Sequence, residues 1–150
     1  MHARPKTLTV GYTTGVYDMF HIGHLRVLER ARSQCDRLIV GVTTDELSLA
    51  AKGKLPIIPF TERADIVSSL RCVDRVVAQE SMDKWKAWEH WHFDKMFVGD
   101  DWKGTQKWNV LEEQFGSVGV EIVYFPYTSD TSSTLLRGVL ESLHGVEEAV

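Results

Sequence analysis

One stretch, Gly15-Val16-Tyr17-Asp18-Met19-Phe20-His21-Ile22-Gly23-His24, constrains the fold more than any other. Upstream, Leu8-Thr9-Val10 with Gly11-Tyr12 reads as a short buried strand; downstream, Leu25, Leu28, Glu29 and Ala31 recur at helical spacing through Arg32. The stretch is therefore a strand-to-helix turn. It carries His21 and His24, three residues apart and so on one side of a helical turn. Gly23 removes a side chain between them and lets a ligand come close to the backbone. The first amides of the helix point outward with the positive end of its dipole behind them, which favours an anion. Two imidazoles, a glycine and a helix start together describe a site for a polyphosphate.

The rest of the chain alternates strands and helices. Leu38-Ile39-Val40-Gly41-Val42 is an uninterrupted apolar run, the mark of a strand buried on both faces. Further strands are expected at Arg75–Ala78, Met96–Val98 and Val120–Phe125. Thr61 suits the N-cap of a helix with Ile66, Val67 and Leu70 inward, and a tryptophan-rich helix follows from Asp83 to His92. Trp108, Leu111 and Phe115 mark another helix, and Thr131-Ser132-Ser133-Thr134 opens a last one through Leu135, Leu136, Val139 and Leu140. Lys52-Gly53-Lys54-Leu55-Pro56 reads as a mobile loop, a cationic lid able to close over a triphosphate.

This order predicts the α/β class: a Rossmann-like, doubly wound, five-stranded parallel sheet with helices on both faces. A single domain over 1–150, with a core from about 8 to 143, is expected. Ligands of such sheets bind beyond the carboxyl ends of the strands. Gly15–His24, Lys52–Lys54, Gly99–Trp102 and Tyr127–Thr134 all fall at that edge.

Composition narrows the function. A net charge of −4 argues against a duplex reader, which normally shows a basic face, but leaves room for a nucleotide site. Met1 to Lys6 is polar with no apolar run after it, so no signal peptide is expected, and no segment approaches a membrane span. Cys35 and Cys72 are isolated, which suits reduced thiols in a cytoplasmic protein.

His21-Ile22-Gly23-His24, preceded by Gly15-Val16-Tyr17-Asp18, resembles the His-x-Gly-His signature of the nucleotidyltransferase superfamily. Class I aminoacyl-tRNA synthetases share the tetrad but need a longer chain and a lysine-rich second signature absent here. Arg71-Cys72-Val73-Asp74 resembles the Arg-x-Val-Asp element of cytidylyltransferases, and Gly99-Asp100-Asp101-Trp102 their Gly-Asp-Asp-Trp run, most like the branch that uses glycerol 3-phosphate. The family run Arg-Thr-Glu-Gly-Ile-Ser-Thr-Thr reads here Tyr127-Thr128-Ser129-Asp130-Thr131-Ser132-Ser133-Thr134. Tyrosine thus replaces a phosphate-binding arginine, so another cation must help. Val16 also stands where the family has a threonine.

The resemblance implies transfer of a nucleotidyl group from CTP to a small phosphorylated alcohol, with release of pyrophosphate. It implies catalytic roles for His21, His24, Lys52 and Lys54, and nucleotide contacts from Gly15, Val16, Tyr17, Gly23, Arg71, Gly99 and Asp100. Tyr127, Thr128, Ser132, Ser133 and Thr134 would complete the nucleotide site, with Asp18 and Arg63 toward the acceptor. Asp18 is also expected to orient the His21–Gly23 turn. Mg²⁺ is expected with the triphosphate, held by Asp101 through water. Adenylyl transfer from ATP to a sugar phosphate or flavin precursor fits Ser132-Ser133-Thr134 equally well, and a non-catalytic nucleotide-binding module is the alternative of another class. The Trp85, Trp88 and Trp91 stripe is either core or the contact of a homodimer.

Overall fold

The computed structural model describes residues 8–126 and 133–148. The strands are β1 Val10–Gly15, β2 Arg37–Thr43, β3 Arg75–Gln79, β4 Lys95–Gly99 and β5 Glu121–Phe125. The helices are α1 Ile22–Arg32, α2 Asp45–Lys52, α3 Phe60–Ser68, α4 Lys84–Trp91, α5 Gln106–Gly116 and α6 Ser133–Glu148. All strand pairings are parallel, in the order β3-β2-β1-β4-β5. The chain starts at the centre of the sheet, moves outward to β3, and returns to the other side of β1. The winding direction therefore reverses between β1 and β4, where open α/β sheets leave a crevice.

Pairing at that reversal is short. β1 and β4 are in register only at Gly11 with Lys95 and Tyr12 with Met96, although both strands continue toward their carboxyl ends. Gly11 permits the close approach there. A Cβ on it would lie 2.6 Å from the Phe97 ring and 2.7 Å from the Cys35 sulfur. Beyond this point the strands part, and Thr13 Oγ1 bridges the gap by donating 2.9 Å to the Phe97 carbonyl.

Side chains alternate along each strand and divide the core in two. Leu38, Val40, Val42 and Phe97 pack with Leu28 and Ala31 of α1 and Val67 of α3. Tyr12, Met96 and Phe93 pack with Trp108 and Phe115 of α5 on the other cluster. The expected fold is therefore the observed one.

Several local expectations are corrected. α2 was not foreseen; Thr44 caps it by accepting 3.1 Å from Leu47 N–H, and Gly53 ends it at φ 71°. Thr61 lies inside α3, whose N-cap is Pro59; Arg63 and Val67 face inward and Ile66 is 41% exposed. The tryptophan stripe belongs to the core side. Trp85, Trp88 and Trp91 are half-buried against the second cluster, with Trp85 5.5 Å from the Phe115 ring.

Candidate active site

The turn from β1 to α1 is strained where it must be. Tyr17 and Met19 have φ of 54° and 49°, a left-handed conformation that side chains adopt reluctantly and that recurs at functional turns. The fold of this turn sets the chemistry of both histidines. His21 is the N-cap of α1, and its Nδ1 accepts a 3.0 Å hydrogen bond from Gly23 N–H. His24 Nδ1 in turn accepts a 3.3 Å bond from His21 N–H. A nitrogen that accepts from an amide carries no proton, so each neutral ring holds its hydrogen on Nε2. The two imidazoles make a capping box and present N–H donors by the same act.

Their electrostatics agree. Burial pushes His24 down to about 4, the neighbouring His21 adds to the shift, and Asp18 opposes it. Burial also lowers His21. Both rings are therefore neutral near pH 7, stacked 3.9 Å apart. The buried Nε2 of His21 has no hydrogen-bond partner among the described residues. An unpartnered buried donor is costly.

Two cavities meet at this turn. The first, about 380 Å³, lies between the parted ends of β1 and β4, under Trp102 and against Phe97, Trp108 and Phe125. The second, about 310 Å³, gathers Lys52, Lys54, Arg137, Ser133 and Thr134. Val16, Tyr17 and His24 line both. His24 therefore stands at the junction of an apolar lobe and a cationic one, with His21 stacked behind it.

The expected residues divide accordingly. Gly15, Gly99, Asp100 and Asp101 line the apolar lobe, the two acids on a single 3₁₀ turn after β4. Lys52, Lys54, Ser133 and Thr134 line the cationic one, and Gly23 is buried in the first turn of α1. Tyr127, Thr128 and Ser132 lie outside the described residues.

Three expectations need correction. Arg63 does not reach the acceptor: it is 1% exposed and lines neither lobe. Its guanidinium donates to the carbonyls of Val16, Thr43 and Ile58 and pairs with Asp45 at 2.6 Å. It holds the turn from beneath, with donors spent on main chain. Arg71 is exposed and precedes β3, at the amino end of the sheet, away from both lobes. Its companion Asp74 accepts from Leu38 N–H and pairs with Arg32 at 2.9 Å, which ties β2 to α1. Asp18 lines the cationic lobe, yet its carboxylate accepts from Ile57 and Ile58 N–H and from Arg137. It orients the segment after the lysines rather than the His21–Gly23 turn.

Two cations were missed. Arg137, on the first turns of α6, donates 3.1 Å to Asp18 and 3.0 Å to the Leu55 carbonyl and lines the cationic lobe. The signal was present: it follows Ser133 by four residues, so one helix face carries both. Ser133 Oγ also donates to the Asp18 carbonyl, which docks α6 on the turn. Lys84, first residue of α4, lines the apolar lobe. Its place just after β3 at the carboxyl edge was the clue.

A parallel sheet whose switch-point turn offers neutral imidazole donors between a cationic and an apolar lobe defines a nucleotidyltransferase. The chain belongs to the cytidylyltransferase-like family, whose family model matches residues 12–139. It is 34% identical over 132 residues to the glycerol-3-phosphate cytidylyltransferase of Bacillus spizizenii, covering 87% of this chain and 96% of that one. It is 35% identical over 134 residues to the bifunctional protein HldE of Hyphomonas neptunium, covering 89% of this chain but 27% of that longer protein. Among solved structures it resembles a lipopolysaccharide core biosynthesis protein from Thermoplasma volcanium, with a TM-score of 0.68 and 25% identity over 83% of this chain and all of the other.

Proposed function

We propose that the enzyme joins CTP and a small phosphorylated alcohol of the glycerol 3-phosphate kind, giving a CDP-alcohol and pyrophosphate. The observation that carries this reading is the shared wall at His24, with a place for a polyphosphate on one side and for less charged groups on the other. Likeness to a glycerol-3-phosphate cytidylyltransferase over nearly its whole length supports the choice of substrates.

The cationic lobe takes the triphosphate. Lys52 and Lys54 reach the α- and β-phosphates, while Ser133 and Thr134 receive the outer ones at the start of α6. Arg137 supplies the planar cation that Tyr127 does not. The nucleoside lies along Gly99–Trp102. An oxygen of the acceptor phosphate attacks the α-phosphorus, a new P–O bond forms, and the bond to the β-phosphate breaks with its electron pair leaving on pyrophosphate. His24 Nε2–H donates to a non-bridging oxygen as negative charge builds there. The protein's other contribution is alignment of two anions that would otherwise repel.

Magnesium would arrive with the triphosphate and neutralise part of its charge. Among the described residues no group of three or more His, Cys, Asp or Glu side chains could hold a metal. An ion bound mainly by phosphate oxygens and water, with Asp101 reached through water, suits that donor set.

We also take the protein to be cytoplasmic and homodimeric. No described helix is long and apolar enough to cross a membrane, and Cys35 and Cys72 are free thiols. Exposed Val139, Leu140 and Leu143 on α6 offer apolar surface that a second copy would cover, which sedimentation tests.

The deciding experiment measures pyrophosphate release with each of the four nucleoside triphosphates against a panel of phosphorylated alcohols. CTP with glycerol 3-phosphate should be the most efficient pair. Preference for ATP with a sugar phosphate would favour the adenylyl reading that Ser132-Ser133-Thr134 permits. Calorimetric CTP binding without turnover would leave a non-catalytic module.

A further inference from the structure

The hydrogen bond to His24 holds only one corner of its ring. Nδ1 accepts from His21 N–H at 3.3 Å, longer than is usual for such a bond, and the ring torsion of a histidine is soft. The plane of the imidazole, and so the aim of Nε2–H, must be set by what packs against it. Three rings do so. His21 stacks at 3.9 Å, Phe20 lies 5.2 Å away with its plane tilted 35°, and Tyr17 meets the imidazole edge-on at 5.5 Å. Tyr17 and Phe20 are themselves 6.4 Å apart, within the range of aromatic contact, so they form one wall. The backbone is bent to make it. Tyr17 and Met19 take the left-handed conformation, and the same turn carries Phe20 against a residue four positions later. Gly15 leaves room for the Tyr17 ring, which a Cβ there would approach to 2.8 Å.

The two wall residues differ in what they can touch. Tyr17 lines both lobes, whereas Phe20 lines neither and packs half-buried against the first core cluster. Phe20 therefore acts on His24 and not on a ligand. We propose that Phe20 is a positioning residue, which fixes the plane of the His24 ring and keeps water from it, so that the imidazole meets the reacting phosphate as an aimed, neutral N–H donor. This rests on the nucleotidyl-transfer reading above. An apolar neighbour that excludes water disfavours the charged imidazolium. Burial is the main cause that lowers His24, the neighbouring His21 adds to it, and Asp18 on the same turn pulls the other way. The other charged groups facing His24 are Lys52, Lys54 and Arg137 across one lobe and Lys84, Asp100 and Asp101 across the other. Water admitted at Phe20 would weaken the burial and leave Asp18 to favour the cation.

The test uses Phe20→Ala and Phe20→Leu, with turnover of CTP and glycerol 3-phosphate and an NMR titration of the His24 ring protons. Phe20→Ala should lower kcat about tenfold. Both KM values should stay within about twofold, as when an interaction made only in the transition state is lost. Phe20→Leu, which refills much of the volume, should recover part of kcat. In a His24→Ala background the same substitutions should have no further effect on kcat. A loss that persists without the imidazole, or a rise in either KM with kcat unchanged, overturns the proposal. Should Phe20→Ala fail to fold, Phe20→Leu carries the test: a kcat deficit that disappears without His24 supports the proposal, and unaltered kcat contradicts it. The titration needs no turnover. The His24 midpoint, about 4 in the unaltered protein, should move toward 6.5 when Phe20 is truncated, and an unmoved midpoint contradicts the proposal. If no substrate pair yields pyrophosphate, the nucleotidyl-transfer reading fails while the titration still reports on Phe20.

Discussion

The two lobes that meet at His24 are built in opposite ways. The cationic lobe is assembled from helix ends and a connecting segment: the last residue of α2, the segment after it, and the first turns of α6. The apolar lobe is cut into the sheet itself, between β1 and β4, and is walled by core residues such as Phe97 and Trp108. Charges on peripheral elements can adjust to a flexible polyphosphate. A wall made of core side chains holds its shape and can discriminate by fit. The two lobes thus differ in how firmly their walls are held, with His24 on the boundary between them.

Breaking the support beneath both lobes should have the largest effect. Arg63→Met removes the cation paired with Asp45 and one donor from each of three main-chain carbonyls. Loss of about 3–5 kcal/mol is expected in urea unfolding, with activity falling only as the folded fraction falls. A well-folded variant with a selective acceptor defect would restore Arg63 to the binding site.

Next in size is a change to one lobe alone. Arg137→Ala removes a cation from the cationic lobe and the ion-pair partner of a largely buried Asp18. KM for the triphosphate should rise about tenfold or more, while KM for the acceptor stays near its original value. Equal rises in both would mean that the lobes are not separable.

A smaller effect follows from the boundary imidazole. The unfolded chain protonates His24 near 6.5, the folded protein at about 4. Between these values the unfolded state binds more protons, so stability is complete above 6.5 and declines as pH falls toward 4. Melting temperature followed across that window should drop less steeply in His24→Gln than in the unaltered protein. Parallel slopes would show that this imidazole titrates normally.

At the small end, Arg71→Ala should leave both KM values and kcat unchanged, because this exposed residue lies at the amino end of the sheet. A KM effect on CTP would bring the Arg71–Asp74 element back into nucleotide binding.

The contrast between the sheet's two ends also explains what was legible beforehand. Apolar runs such as Leu38–Val42 and the order of strands and helices report burial, and burial determines the sheet; the architecture could therefore be read. The turn from Gly15 to His24 could be read because its pattern is local. Arg63 could not, because one arginine looks the same whether it meets a ligand or three buried carbonyls. Arg71-Cys72-Val73-Asp74 misled because spacing along a chain does not say at which end of a strand a segment lies. Lys84 was hidden among charges of a helix whose tryptophans drew attention to packing. Arg137 was obscured because its role depends on Asp18 and Leu55, far away in sequence.

The central claim is that His24 serves both lobes as the donor to the reacting phosphate. Steady-state turnover of His24→Ala, at saturating CTP and glycerol 3-phosphate, tests it most directly. We expect kcat to fall about 10²- to 10³-fold, with circular dichroism and CTP binding largely retained. Near-normal kcat in a folded variant would contradict the account.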